Sequence, residues 1–255
     1  MKIKEKFESL KKKNEAALIC FYTAGFPDFS TSMRNIRVLA ENGADIIEVG
    51  IPFSDPIADG AVIQKASAQA LKNRISLMEI MEGISKLNIT VPVVFMSYLN
   101  PVLKFSLKKF FKRAEESGIA GIIFPDLPAE ESEEIRFFAD ERDIDTIFLV
   151  SPTSSAERIK MNAMISRGFI YCVSVSGVTG MRSSLSEQAR PLIGRVSQVT
   201  DTPAALGFGI STPLHVREAS GIADGVIVGS KIIDEVMNGG DLKLLVRGLK
   251  DATIR

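Results

Sequence analysis

The chain has 255 residues, 45% of them hydrophobic and 24% charged, which suits a globular fold with a sizeable buried core. Lysine plus arginine and aspartate plus glutamate each number 31, so no net charge favours nucleic acid or a membrane surface as partner. The basic start (Lys2, Lys4, Lys6) lacks the apolar stretch of a signal peptide, and no apolar run approaches the roughly 18 residues of a spanning helix, so the expected setting is the cytoplasm.

Ile3, Phe7 and Leu10 recur at helical spacing, predicting a short amphipathic helix first. Residues 18–23 read as a strand that ends at Gly25-Phe26-Pro27-Asp28, and residues 30–41 as a helix. One phrase then recurs: a polar helix end, a glycine and a buried strand. It appears as E-N-G-A-D-I-I-E-V, E-S-G-I-A-G-I-I-F, S-R-G-F-I-Y-C-V and A-S-G-I-A-D-G-V-I-V, with aspartate replacing the glycine in E-R-D-I-D-T-I-F-L. The glycines read as helix C-caps, and strands apolar on both faces suit a parallel sheet covered by helices. Gly118, Asp143 and Gly168 are spaced 25 residues apart, the length of one strand plus one helix. Further strands are expected at 92–97 and 203–208. Eight strands alternating with helices predict an α/β fold, a single (β/α)8 barrel domain over residues 1–255, with an extra N-terminal helix and an extended segment after the second strand. A doubly wound open sheet is the alternative, but its glycine fingerprint after the first strand is missing.

That extended segment carries the most informative stretch, D-I-I-E-V-G-I-P-F-S-D-P-I-A-D-G-A-V-I-Q at 45–64. Glu48 sits in an isoleucine and valine strand, sharing a face with Ile46, where partial desolvation would raise its pKa into the range useful for acid–base work. Gly50, Pro52 and Pro56 then impose a stiff loop bearing Asp55 and Asp59 before a helix at 61–72, with a second helix at 77–87. The competing readings are an ion-paired strand acid for Glu48 and a helix N-terminal acid for Asp59.

Barrel active sites lie at the C-terminal ends of the strands. After the third strand come Tyr98 and Asn100, and after the fourth P-D-L-P. After the seventh and eighth come G-F-G-I-S and G-S, where Gly207 and Gly209 let backbone approach a ligand, and Ser211 and Ser230 stand where helices start. That is a phosphate site in outline. Residues 176–184, rich in glycine and serine and carrying Arg182, read as a lid over the mouth. Cys20 and Cys172, in apolar runs, read as buried free thiols, and the single histidine, His215, as a solvated helix residue; no metal site is expected.

I-E-V-G-I-P-F-S-D-P-I-A-D-G from Ile47, N-P-V-L from Asn100, P-D-L-P from Pro125, G-V-T-G-M-R from Gly177, G-F-G-I-S from Gly207 and D-G-V-I-V-G-S from Asp224 resemble the tryptophan synthase alpha chain family, in order and over nearly the whole chain. Two departures are Ala61, where many members have proline, and Ser176, often threonine there. The resemblance implies retro-aldol cleavage of indole-3-glycerol phosphate to indole and glyceraldehyde 3-phosphate, with Glu48 as acid–base group and Asp59 stabilising positive charge on the indole ring. It implies that Thr179 orients Asp59 and that Phe21, Tyr98, Leu99 and Leu127 surround the indole. Tyr171 would neighbour the glycerol chain, and Gly180, Phe208, Gly209, Gly229 and Ser230 would hold the phosphate. It implies no cofactor in this chain, with pyridoxal phosphate only in a beta-chain partner of an alpha2-beta2 complex, contacted through Pro52, Phe53, Asp55 and Asn100. Two alternatives stay open: another phosphate-binding lyase, synthase or isomerase of the same biosynthesis, which would be expected to use a strand-end lysine or cysteine, and a chain whose main role is to activate its partner.

Overall fold

The protein is described by a computed structural model covering residues 2–173, 185–207 and 209–255, with side chains from 189 onward after the first gap. Nine parallel strand segments form one sheet: β1 Ala17–Thr23, β2 Ile46–Gly50, β3 Val93–Met96, β4 Ile119–Ile123, β5 Asp145–Ile147, β6 Leu149–Val150, β7 Ile170–Val173, β8 Ala204–Gly207 and β9 Gly225–Val228. The order β5-β4-β3-β2-β1-β9-β8-β7-β6 has β5 and β6 at its two ends. These two are one length of chain interrupted at Phe148: its first half pairs with β4 and its second with β7, so the sheet closes on itself as an eight-stranded barrel. After Thr146 the I-F-L-V run is apolar throughout, and nothing in it signals the change of partner.

The helices are α1 Ile3–Lys12, α2 Phe29–Glu41, α3 Ala61–Lys72, α4 Leu77–Ser85, α5 Leu99–Phe105, α6 Leu107–Glu116, α7 Glu133–Asp140, α8 Ala156–Ile165, α9 Leu185–Ser197, α10 Pro213–Ser220, α11 Ser230–Met237 and α12 Leu242–Asp251. The expected extension after β2 contains both α3 and α4. Tyr98 and Asn100, expected on a loop, flank the first residue of α5, with Tyr98 as its N-cap. Among the glycines expected to end helices, Gly43, Gly118 and Gly168 have positive φ, as that role demands, and Asp143 adopts the same backbone region. Gly221 does not: it closes α10 at φ −70°, which any residue could adopt. None of the described helices is long and apolar enough to cross a membrane.

Apolar residues divide by strand parity. Outward-facing Leu18, Ile47, Val49 and Phe95 pack against the helices, whereas Ile19, Ile46, Val94, Ile123, Phe169 and Ile227 fill the barrel interior. Helix α1 plugs the N-terminal end, inserting buried Ile3, Phe7 and Leu10 into that interior cluster. The interior is thereby sealed from below, and its open end lies where the strands finish.

Candidate active site

The register of the first strands places the key acid. Glu48 is paired across the sheet with Phe21 on β1 and Val94 on β3, one layer above Ile46 and on the same inward face. It is 1% exposed, and neither carboxylate oxygen has a hydrogen-bond partner among the described residues. Burial, more than the nearby Asp59 charge, pushes its pKa up to about 8. The sequence reading understated this desolvation, because the neighbours of Glu48 on the inward face come from adjacent strands, with Phe21 on one side and Val94 on the other.

Asp59 reaches the same place by another route. The loop from Ile51 to Gly60 has no regular structure, yet it is pinned along its length. Ile51 N–H donates to Met96 O at 2.8 Å, Phe53 N–H to Ser67 Oγ at 3.2 Å, and Ala58 N–H to the Tyr98 hydroxyl at 2.9 Å. The Phe53 and Tyr98 rings stack with centroids 5.1 Å apart. Burial raises the Asp59 pKa to about 6, and a hydrogen bond from Tyr98 opposes the rise. The stiffness attributed to the prolines is thus also a matter of these four contacts.

Glu48 and Asp59 line one cavity of about 360 Å³ at the C-terminal end of the barrel, with Phe21, Met96, Tyr171, Gly209, Gly229 and Ser230. Two strand glycines set its aromatic walls. A Cβ at Gly50 would lie 2.5 Å from Phe21 Cζ, and one at Gly207 would lie 2.7 Å from Tyr171 Cε1 and its hydroxyl. Tyr171 is held neutral far above its ordinary pKa by burial and by the charges of Glu48 and Asp59. At the far wall Gly209 has φ +75°, and Gly229 is the N-cap of α11, whose first residue is Ser230. A helix start of this kind offers unpaired N–H groups to an anion.

The remaining expected residues are distributed as follows. Tyr98 borders a crevice beside the main cavity, with Phe21 and Asp59. Leu99 and Leu127 do not line the cavity: Leu127 is buried in the apolar layer between sheet and helices, and half-buried Leu99 packs on that layer. Pro52 and Phe53 are half-buried, and Asp55 and Asn100 are exposed. Thr179, Gly180 and Phe208 lie outside the described residues, as does the expected lid. Ser211 precedes the helix start rather than forming it, since Thr212 caps α10 by accepting from His215 N–H at 3.2 Å. His215 is half-buried, not solvated, with Nδ1 3.4 Å from Ser211 Oγ. Cys20 and Cys172 are buried free thiols. Reading from sequence missed Ile63, Lys231 and Asp234, which also line the cavity. The last two stand one and four residues after Ser230, so the helix start that singled out Ser230 was also the signal for them.

The family model described as tryptophan synthase alpha chain matches residues 7–249. The tryptophan synthase alpha chain of Dehalococcoides mccartyi is 45% identical over 89% of this chain and 90% of its own length. That of Methanocaldococcus jannaschii is 44% identical over 91% of this chain and 84% of its own. Among solved structures, tryptophan synthase from M. tuberculosis superposes with a TM-score of 0.92 at 34% identity, covering 98% of both chains. The tryptophan synthase subunit alpha of Legionella pneumophila superposes with a TM-score of 0.91 at 31% identity, covering 98% of this chain and 97% of that one.

Proposed function

This chain belongs to the tryptophan synthase alpha chain family, and from that premise we propose that it cleaves indole-3-glycerol phosphate to indole and glyceraldehyde 3-phosphate by a retro-aldol step. The observation that carries the proposal is a pair of carboxyl groups facing one cavity with their ionisation pulled apart. With a pKa of about 8, Glu48 is mostly protonated at neutral pH, whereas Asp59, at about 6, is mostly ionised. Such a separation assigns one group as acid and leaves the other as fixed negative charge.

The steps follow from that division. Glu48 donates its proton to the ring carbon that bears the glycerol chain, and positive charge spreads to the ring nitrogen. The Asp59 carboxylate accepts the ring N–H and stabilises that charge. Glu48, now ionised, takes the proton of the hydroxyl on the neighbouring carbon. That oxygen becomes the aldehyde carbonyl as the carbon–carbon bond breaks, and the bonding pair returns to the ring as neutral indole. One proton leaves Glu48 and one returns. Phe21 and Tyr98 would face the flat ring and Tyr171 the glycerol chain, while backbone at Gly209, Gly229 and Ser230 would receive the phosphate. Thr179 would orient Asp59, and Gly180 and Phe208 would complete the phosphate site. No metal or organic cofactor enters this scheme.

The proposal extends to a beta-chain partner carrying pyridoxal phosphate, assembled as an alpha2-beta2 complex in the cytoplasm. The loop bearing Pro52, Phe53 and Asp55, together with Asn100, would form the contact. Release of indole from indole-3-glycerol phosphate by the purified chain, alone and with a beta chain, tests both parts. Slow release alone and fast release with partner is expected; no release under either condition overturns the lyase reading.

A further inference from the structure

Thr23 is the last residue of β1, two beyond Phe21 and therefore on the same inward face. It is paired in register with Gly50, where the catalytic loop leaves the sheet. Its side chain is 2% exposed, and its hydroxyl has no hydrogen-bond partner among the described residues. Buried hydroxyls are rarely left so, because an unpaired polar group in the interior is costly. Thr23 lines a crevice together with Asp59, Ser67 and Tyr98, with about 10 Å³ open to the centre of a water molecule. That is close to the least space one water requires.

Donors and acceptors around the crevice suit one water. Ser67 Oγ accepts from Phe53 N–H, which leaves its own hydrogen free to donate. The Tyr98 hydroxyl accepts from Ala58 N–H, which leaves its own hydrogen free to turn towards the neighbouring Asp59 carboxylate. A water could accept from Thr23 and Ser67 and donate to the Asp59 carboxylate, completing three hydrogen bonds, the usual number for a buried water. We propose that this crevice is a one-water site, and that Thr23 is a positioning residue holding the ionised Asp59 carboxylate towards the cavity through that water. The role of Asp59 in this statement rests on the proposed function; the water site itself does not.

The groups facing Asp59 are Glu48 on β2, Tyr98 at the start of α5, Tyr171 on β7, and Lys231 and Asp234 on α11 across the cavity. Against that fixed background, Thr23→Val removes the hydroxyl while keeping the shape, and Thr23→Ser keeps the hydroxyl. Carbon-13 NMR of aspartate-labelled protein, without substrate, reads the Asp59 titration directly. Thr23→Val should raise the Asp59 pKa by about one pH unit, the scale of a single hydrogen bond to an ionised group, and Thr23→Ser should restore it. The acid limb of kcat should move by the same amount, with KM little changed. A folded Thr23→Val protein with the wild-type Asp59 titration overturns the proposal. If that variant does not fold, a crystal structure of the wild type decides. One water within hydrogen-bond distance of Thr23 Oγ1 and an Asp59 carboxylate oxygen supports the site; an empty crevice, or a direct bond between the two residues, overturns it. Neither the titration nor the crystal structure uses the cleavage reaction, so failure of the indole assay would remove the lyase reading while leaving this test intact.

Discussion

Asp45 and Glu48 stand three residues apart, one just before β2 and the other at its centre, are both hidden from water, and are treated in opposite ways. Asp45, 6% exposed, accepts from Leu18 N–H at 2.9 Å and from Lys250 Nζ at 2.9 Å, with Lys6 Nζ at 3.9 Å. Lys250 in turn reaches Glu15 at 2.8 Å. Glu48, 1% exposed, has neither a cation nor a hydrogen-bond donor among the described residues. A buried carboxylate must be compensated or stay neutral. The plugged end of the barrel takes the first course and the open end the second. The first ties α12 and α1 to the sheet, and the second stores a proton where a ligand can use it.

The largest test of this contrast is Glu48→Gln, which keeps shape and hydrogen-bonding capacity but removes the exchangeable proton. Indole release should fall by about 100- to 10,000-fold, the usual worth of positioned proton transfer. Its stability signature has a definite sign. The folded pKa of about 8 lies above the ordinary value of 4.5, so the contribution of Glu48 is full below pH 4.5 and lost as pH rises through 8. The wild-type denaturation midpoint should therefore fall from weakly acidic to weakly basic pH more steeply than that of the variant. Parallel slopes would mean that Glu48 is ion-paired after all, and the contrast with Asp45 would dissolve.

Asp59→Asn comes next, with an expected loss of about 100- to 1,000-fold in turnover, as for other fixed charges or dipoles that face a developing charge. A rate within threefold of wild type would return Asp59 to the role of a helix N-terminal acid. At the plugged end, Asp45→Asn should cost about 1.5–3 kcal/mol in urea denaturation, the range for hydrogen bonds to charged groups, with turnover per folded molecule unchanged. Loss of activity without loss of stability would break the comparison from the other side. The smallest effect belongs to Lys2→Gln: the pair of Lys2 with Asp143 is close, at 2.5 Å, but both side chains are more than half exposed. No measurable change in the denaturation midpoint is expected, because solvent screens such pairs.

Much of the barrel was legible in the sequence because its signals repeat. The 25-residue spacing from Gly118 through Asp143 to Gly168 needs no tertiary information, and the two-sided apolar strands announce helices on the outside. Glu48 was legible because an acid among isoleucine and valine is conspicuous. Thr23 was not, since a threonine ending a strand reads as an ordinary polar boundary, and only the register with Gly50 sets it beside the start of the 51–60 loop. The break at Phe148 escaped for the opposite reason: barrel closure decides it, and closure is a property of all eight strands. Leu99 and Leu127 follow polar or loop-forming residues at strand ends, yet side-chain direction there is set by α5 and by the turn after β4, which sequence spacing does not specify.

The glycines beneath Phe21 and Tyr171 bear on how the chain can vary over generations. At Gly50 and Gly207 the space a side chain would need is already filled by an aromatic ring that forms the cavity wall. The width of that cavity is accordingly set by two hydrogen atoms on the backbone, at positions that do not themselves line it. A population drifting under selection for folding alone could admit alanine at either site by tilting a ring, and the protein would persist in the cell while its cavity narrowed. Selection on the width of the cavity, beyond selection for folding, would therefore act at two positions where only a hydrogen atom fits.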